Sequence, residues 1–184
     1  MTTIASHPNH RYYIGMYLGL GAITMFFAAF TSAYIVRKGL SNDWQTTAMP
    51  SILWANTLVL LASSLVLEKA RRCLDNWNRF NLWWLVGSGL GLTFLVGQIW
   101  TWQQLVDQDI YVSTNPSSSF FYVFTGAHGI HLLGGVIALL SISWRVWDSK
   151  ATTSEQTAVG VTVLYWHFMN GLWVYLFLFL LIWR

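Results

Sequence analysis

Five long apolar stretches run along the chain, and short polar connections separate them. A helix needs about 20 mostly apolar residues to cross the hydrocarbon layer of a bilayer, and each stretch is close to that length or longer. The pattern therefore predicts an all-α integral membrane bundle of five transmembrane helices, with residues 1–184 forming a single membrane domain. The predicted spans are 12–36, 50–68, 81–106, 119–144 and 157–183.

The composition supports a membrane location. Of the 184 residues, 55% are hydrophobic and 9% are charged, whereas about a quarter of the residues in a soluble domain are charged. The start of the chain lacks the succession of regions that marks a cleaved secretory signal, so we expect the first span to be retained. Aromatic rings favour the membrane interface, and those near the span ends are Trp44, Trp77, Trp144, Trp147 and Trp183.

The basic residues predict the orientation of the spans. Seven of them fall on the N-terminal side and three on the opposite side, so the positive-inside rule places the N-terminus inside and the C-terminus outside. They lie in short connections rather than on one face, which argues against nucleic-acid binding. The first group is Arg11, Lys69, Arg71, Arg72, Arg79, Arg145 and Lys150, and the second is Arg37, Lys38 and Arg184.

Polar side chains inside the spans are few, and such groups usually face the bundle interior and have a partner. No mid-span Asp, Lys or Arg occurs, so the chain by itself lacks a carboxylate relay for protons through the bilayer. The lone Cys73 excludes a disulfide or a cysteine-built metal site within this chain. The polar set is His128, His131, His167, Asn56, Gln98 and Asn170, with Glu68 at the inner end of the second span.

The segment TGAHGIHLLGG at 125–135 places two histidines three residues apart on one helix, and two interpretations are open. Neutral imidazoles bind haem iron, copper or zinc, and His167 is a candidate further ligand. Alternatively, each histidine donates a hydrogen bond between helices, which contributes about 0.6 kcal/mol on average in a membrane. We favour the structural interpretation, because His128 and His131 cannot occupy opposite faces of one haem from a single helix.

Distinctive motifs occur in the last two spans, namely FFYVFTGAHGIHLLGG at 120–135 and YWHFMNGLWVYLFLFLLIW at 165–183. Weaker ones occur in the first three spans, namely TMFFAAFTSAYI at 24–35, ANTLVLLASS at 55–64 and FLVGQIW at 94–100. In their order, spacing and number of spans, these motifs resemble subunit III of the haem-copper oxidases, in its short five-span prokaryotic form.

This resemblance implies a cofactor-free subunit of a proton-pumping terminal oxidase of aerobic respiration, located in a prokaryotic plasma membrane. Haems and copper then lie in subunits I and II, and this chain packs against subunit I, supports its proton uptake, protects its catalytic centre and holds phospholipid in a cleft. It implies no catalytic, cofactor-binding or metal-binding residue here, and is compatible with a larger respiratory supercomplex. His128, His131, His167, Asn56, Gln98 and Asn170 become interhelical polar contacts.

Several alternatives stay open at this point. The motifs look closer to cytochrome c oxidases than to quinol oxidases, which share this subunit. A free-standing haem-binding cytochrome would use His128 or His131 together with His167, and an assembly protein would have no link to an enzyme. The basic residues at the inner ends serve as topology anchors or as contacts to lipid headgroups, and these are Lys69, Arg71, Arg72 and Arg145.

The sequence departs from the family pattern where relatives carry acids. Ile23, Thr101 and Asn170 stand at those positions, which puts in doubt any carboxylate–histidine pair carried over from relatives. Asn170 lies three residues after His167 and can share its helical face, so we expect a neutral polar contact between the two. Small residues one turn apart also predict close helix contacts, at Gly15 and Gly19, Ala28 and Ser32, and Gly87 and Gly91.

Overall fold

Five α-helices make up the structure, a computed structural model that describes residues 8–40, 42, 44, 50–145 and 153–183. Each helix is long and apolar enough to cross a membrane, which confirms the five predicted spans and the all-helical fold. Trp147, Lys150 and Arg184, which entered the interface and charge predictions, lie outside the described residues. The helices are α1 (Pro8–Leu40), α2 (Ile52–Arg72), α3 (Trp77–Val106), α4 (Pro116–Arg145) and α5 (Thr153–Trp183).

The helices extend past most ends of the predicted spans, because apolar runs mark the hydrocarbon layer and not the helix caps. The start of α3 illustrates this difference. Its first residue is Trp77 rather than residue 81, since the side-chain oxygen of Asn76 accepts a hydrogen bond from the backbone N–H of Arg79 at 3.3 Å. That contact satisfies one of the N–H groups left free at a helix start.

Four helices form a ring and the fifth lies outside it. Within the ring, α2 packs on α3 and α5, and α4 packs on the same two helices from the other side. The first helix, α1, packs on α4 and α5, and over the described residues it makes no contact with α2 or α3. As a result α1 is the most exposed helix, whereas α5, which contacts three others, is the most buried.

Two glycines of α3 allow side chains of other helices in the ring to approach its backbone closely. A β-carbon placed on Gly87 would lie 2.6 Å from Cγ of Leu67, and one on Gly91 would lie 2.6 Å from Cζ2 of Trp166. The prediction of close packing at these two glycines is therefore confirmed. It is wrong for Gly15 and Gly19 of α1, where an added β-carbon would meet no atom of another helix within 4 Å in the described part of the chain.

Candidate functional site

His128 lies at the centre of the bundle, on α4, and is 1% exposed. The centre of its ring is 5.0 Å from that of Trp173 on α5 and 6.4 Å from that of Phe94 on α3. Neither ring nitrogen has a hydrogen-bond partner among the described residues. The histidine thus joins three helices by packing, and the interhelical hydrogen bond expected from the sequence is not formed by a protein group.

The three buried amides behave differently from one another. Asn56 donates through Nδ2 to the carbonyl of Phe94 at 3.3 Å, which links α2 to α3 as expected. Asn170 instead donates to the carbonyl of Trp166 in its own helix at 2.8 Å. Its Oδ1 atom, and both amide atoms of Gln98, lack a hydrogen-bond partner in the described part of the chain. The expected interhelical hydrogen bond is therefore present for one amide of the three.

His131 faces α1 rather than its neighbour His128. Its ring centre lies 5.8 Å from that of Phe27 and 6.0 Å from that of Phe26. The side chain bonds within its own helix, because Nδ1 is 2.8 Å from the carbonyl oxygen of Ala127 one turn earlier, a local contact that competes with bonds to other helices. The link to another helix is made by its backbone carbonyl, which accepts a hydrogen bond from Tyr165 Oη at 2.7 Å.

His167 faces α2 and contacts two of its side chains. Nδ1 forms a hydrogen bond with Ser64 Oγ, and Nε2 lies 3.5 Å from Oε2 of Glu68. The predicted contact between His167 and Asn170 is wrong, since both ring nitrogens face α2 and Asn170 is bonded to its own backbone. A carboxylate–histidine pair is nevertheless present, formed with an acid at the end of α2 instead of one on α5.

Glu68 is the centre of a small charged cluster at the end of α2. Its Oε1 atom is 2.7 Å from Nη2 of Arg71 and 2.9 Å from Nε of Arg72, three and four residues along the helix. Pairs at this spacing contribute a few tenths of a kcal/mol each when they are exposed. The two arginine side chains are 45% and 74% exposed, so the cluster anchors the helix end without contributing much to stability.

Replacing Glu68 with glutamine tests that assessment. We expect Glu68→Gln to lower the free energy of unfolding by less than about 1 kcal/mol, because the pairs it removes are largely solvent-screened. Thermal unfolding of the purified protein measures the change, with Asp75→Asn, an exposed acid in the following connection, as the matched control. A loss of several kcal/mol would mean that the pair with His167 holds α2 and α5 together.

Several hydrogen bonds between side chains of different helices are donated by aromatic residues. The indole N–H of Trp166 donates to Ser63 Oγ at 3.1 Å, and that of Trp173 donates to Thr57 Oγ1 at 3.0 Å. Both bonds join α5 to α2. Equivalent bonds are Trp84 to Ser143 and Trp102 to Thr125, which join α3 to α4, and Tyr175 to Thr31, which joins α5 to α1. These pairs could not be found from the sequence, because no spacing distinguishes the hydroxyl that accepts each bond.

The four basic residues proposed as anchors lie near the ends of α2 and α4. Lys69 Nζ is 3.5 Å from the centre of the Trp83 ring, a cation–π contact, while Arg71 and Arg72 pair with Glu68. Arg145 lines a groove with Tyr12, Ser154, Thr157 and Thr162. Contact with lipid headgroups stays a prediction for all four.

The three histidines thus face three different parts of the bundle. His128 packs between α3 and α5, His131 packs against α1, and His167 bonds to α2. Within the described ranges, no group of three or more His, Cys, Asp or Glu residues is placed to hold a metal ion. The arrangement can join helices, but it does not bring two imidazoles to opposite faces of one haem.

Five apolar helices joined by buried aromatic and polar contacts define a multi-pass membrane protein. The match to known families is specific, because residues 14–184 fit the family described as cytochrome c oxidase subunit III. The chain belongs to this family, as its motifs suggested. Subunit III carries no cofactor of its own in this family.

Curated relatives agree along most of their length. The chain is 29% identical to cytochrome c oxidase subunit 3 of Synechocystis sp. over 94% of this chain and 75% of the relative. It is 28% identical to the protein of the same name from Thermostichus vulcanus, over 96% and 89%. It is also 31% identical to the probable cytochrome c oxidase subunit 3 of Nocardia farcinica, over 89% and 84%.

Proposed function

We propose that this chain is the non-catalytic subunit III of a proton-pumping haem-copper terminal oxidase that uses cytochrome c as electron donor. The family match over residues 14–184 carries this proposal. The relatives named above are cytochrome c oxidase subunits, which favours cytochrome c over a quinol as donor. Their bacterial sources favour a prokaryotic plasma membrane as the location.

The role of the chain is then to support its partners. Haems and copper lie in subunits I and II, and this chain packs against subunit I, stabilises it and supports its proton uptake. The exposed side of α1 offers an apolar surface for such contact, since Leu18 and Met25 are 72% and 76% exposed. Membership of a larger respiratory supercomplex is compatible with this role.

A free-standing haem-binding cytochrome is the main rival function. It requires His128 or His131 to face His167 across a haem, yet these side chains are directed to different helices. His167 is also engaged by Ser64 and by Glu68. The divergence of the three imidazoles therefore favours the cofactor-free subunit.

Phospholipid is a further proposed partner. A groove of about 410 Å³ between α1 and α5 is lined mainly by apolar side chains, including Phe27, Phe168 and Leu172. Acyl chains fit such a lining at membrane depth, and Lys69, Arg71, Arg72 and Arg145 provide positive charge near helix ends for headgroups. Mass spectrometry of the purified complex tests this, and a complex that retains no phospholipid would contradict it.

The proposed orientation has the N-terminus inside and the C-terminus outside. Cys73, the single cysteine, lies at the end of α2 and is partly exposed. Labelling of its thiol therefore reports on which side of the membrane this end of α2 lies. In sealed membranes we expect a membrane-impermeant thiol reagent to label Cys73 from the inner side only. The matched control is Ser113→Cys in a Cys73→Ser background, which moves the thiol to an exposed position in the connection between α3 and α4. That thiol should be labelled from the outer side only, and the reverse pattern would invert the topology.

Purification through a tag on this chain tests the function as a whole. From native membranes in mild detergent, we expect haem-bearing subunits to be recovered in a one-to-one ratio with this chain, together with oxygen-reducing activity. Recovery with a quinol-oxidising complex would change the donor but keep the subunit role. Recovery of the chain without any haem-bearing partner would reject the role and favour an assembly protein.

A further inference from the structure

Several buried polar atoms on three adjoining helices lack a hydrogen-bond partner within the described structure. His128, Gln98 and Asn170 are 1%, 5% and 3% exposed, and between them they hold five buried nitrogen and oxygen atoms without a hydrogen-bond partner in the described residues. Buried polar groups in proteins are almost always hydrogen-bonded, to protein or to ordered water. The need is greater at membrane depth, where no bulk water is available.

Contacts on either side place Gln98 opposite His128. On α3, Gln98 lies one turn from Phe94 and one turn from Trp102. Phe94 contacts the ring of His128, and Trp102 donates a hydrogen bond to Thr125, which precedes His128 by three residues on α4. Gln98 therefore faces α4 between Thr125 and His128. Because helical side chains lean toward the N-terminus of their own helix and α3 and α4 are antiparallel, the two side chains lean toward each other.

Contacts of two tryptophans on α5 place Asn170 on the other side of His128. On α5, Asn170 lies between Trp166 and Trp173 on one helical face. Trp173 contacts the ring of His128. Trp166 lies against Gly135 of α4, where an added β-carbon would be 3.1 Å from the Trp166 ring. Asn170 thus faces the centre of the bundle between these two levels, and its Oδ1 atom has no hydrogen-bond partner in the described residues.

We propose that these three residues form an internal water site at the junction of α3, α4 and α5. The ligand is a small cluster of ordered water molecules, of which at least one bridges a ring nitrogen of His128 and the side-chain amide of Gln98. A buried water commonly makes about three hydrogen bonds, and Asn170 Oδ1 supplies a further acceptor. The unpaired atoms include both donors and acceptors, which suits water and not a metal cation.

The site is neutral in its make-up. An imidazole and two amides can exchange hydrogen bonds with water without any buried charge, and burial of neutral polar groups costs far less than burial of an ion. The water therefore completes the hydrogen bonding that the protein groups leave open, and it does so without the carboxylates that the chain lacks inside its spans.

A density map of the intact complex that resolves ordered water tests the proposal. We expect a water peak within about 3 Å of both a His128 ring nitrogen and the Gln98 amide. In Gln98→Leu that peak should be lost, whereas Gln103→Leu, the same change at an exposed position of α3, should retain it. A direct hydrogen bond between His128 and Gln98 with no peak between them would overturn the proposal, and so would a peak that persists in Gln98→Leu. If Gln98→Leu does not assemble, the wild-type map alone decides between the bridged and the direct contact.

Discussion

Replacing Trp173 with alanine is expected to lower the free energy of unfolding by about 3 kcal/mol or more, which is the usual cost of removing a large buried aromatic side chain. Trp173 is 2% exposed, and its ring packs against both Phe94 and His128. The change also removes the hydrogen bond from its indole N–H to Thr57. The substitution would therefore weaken contacts of α5 with α2, α3 and α4 together.

Thermal unfolding of the purified protein measures this effect. Trp100→Ala is the matched control, because Trp100 is a tryptophan of α3 that is 58% exposed and leaves no internal cavity when it is shortened. We expect the control to unfold within a few degrees of the wild type. Equal loss of stability in both variants would mean that the bundle centre is not organised around Trp173.

The second large effect is expected for Gly91→Ala. A β-carbon at this position would lie 2.6 Å from Cζ2 of Trp166. The indole ring has little freedom to move away, since its N–H is bonded to Ser63 and Gly135 of α4 packs against its other side. Overpacking of this kind costs about 1–3 kcal/mol, so we expect lower thermal stability and lower yield in the membrane.

Gly89→Ala provides the control for this variant. Gly89 lies two residues away on the same helix and has no atom within 4 Å of an added β-carbon in the described structure. Alanine also has the higher helix propensity, so we expect this variant to be at least as stable as the wild type. If Gly91→Ala behaves in the same way, the close contact of the Trp166 ring with α3 is not required for the fold.

The sequence predicted the five spans because an apolar run of about 20 residues has few other uses. It also predicted that His128 and Asn170 are buried and that Gly87 and Gly91 allow close approach. The helix ends were harder to predict, since they depend on local contacts such as the one between Asn76 and Arg79. Apolar residues occur on every face of each helix, so the hydrophobic pattern gives little information on which face contacts which neighbouring helix.

The partners of the polar residues could not be predicted, because they depend on the rotation of each helix. His167 pairs with Ser64 and Glu68, about a hundred residues earlier in the chain. The sequence suggested Asn170 instead, which is near in sequence but faces the bundle centre. The expectation that interhelical bonds come from histidines and amides also missed the indole-to-hydroxyl pairs, such as that of Trp166 with Ser63.

These pairs suit a subunit that serves as a scaffold. An indole combines a large apolar ring with one N–H donor, so a buried tryptophan fills space between helices and also joins them through hydrogen bonding of that N–H. Trp84, Trp166 and Trp173 all do so. The histidines add packing and hydrogen bonds at three separate places.

The most direct test of this account is a density map of the intact oxidase refined around His128, His131 and His167. We expect the three imidazoles to face three different neighbours, with no iron, copper or zinc bonded to any of them and with the haems confined to partner subunits. A haem or metal ion coordinated by any of these histidines would contradict the account.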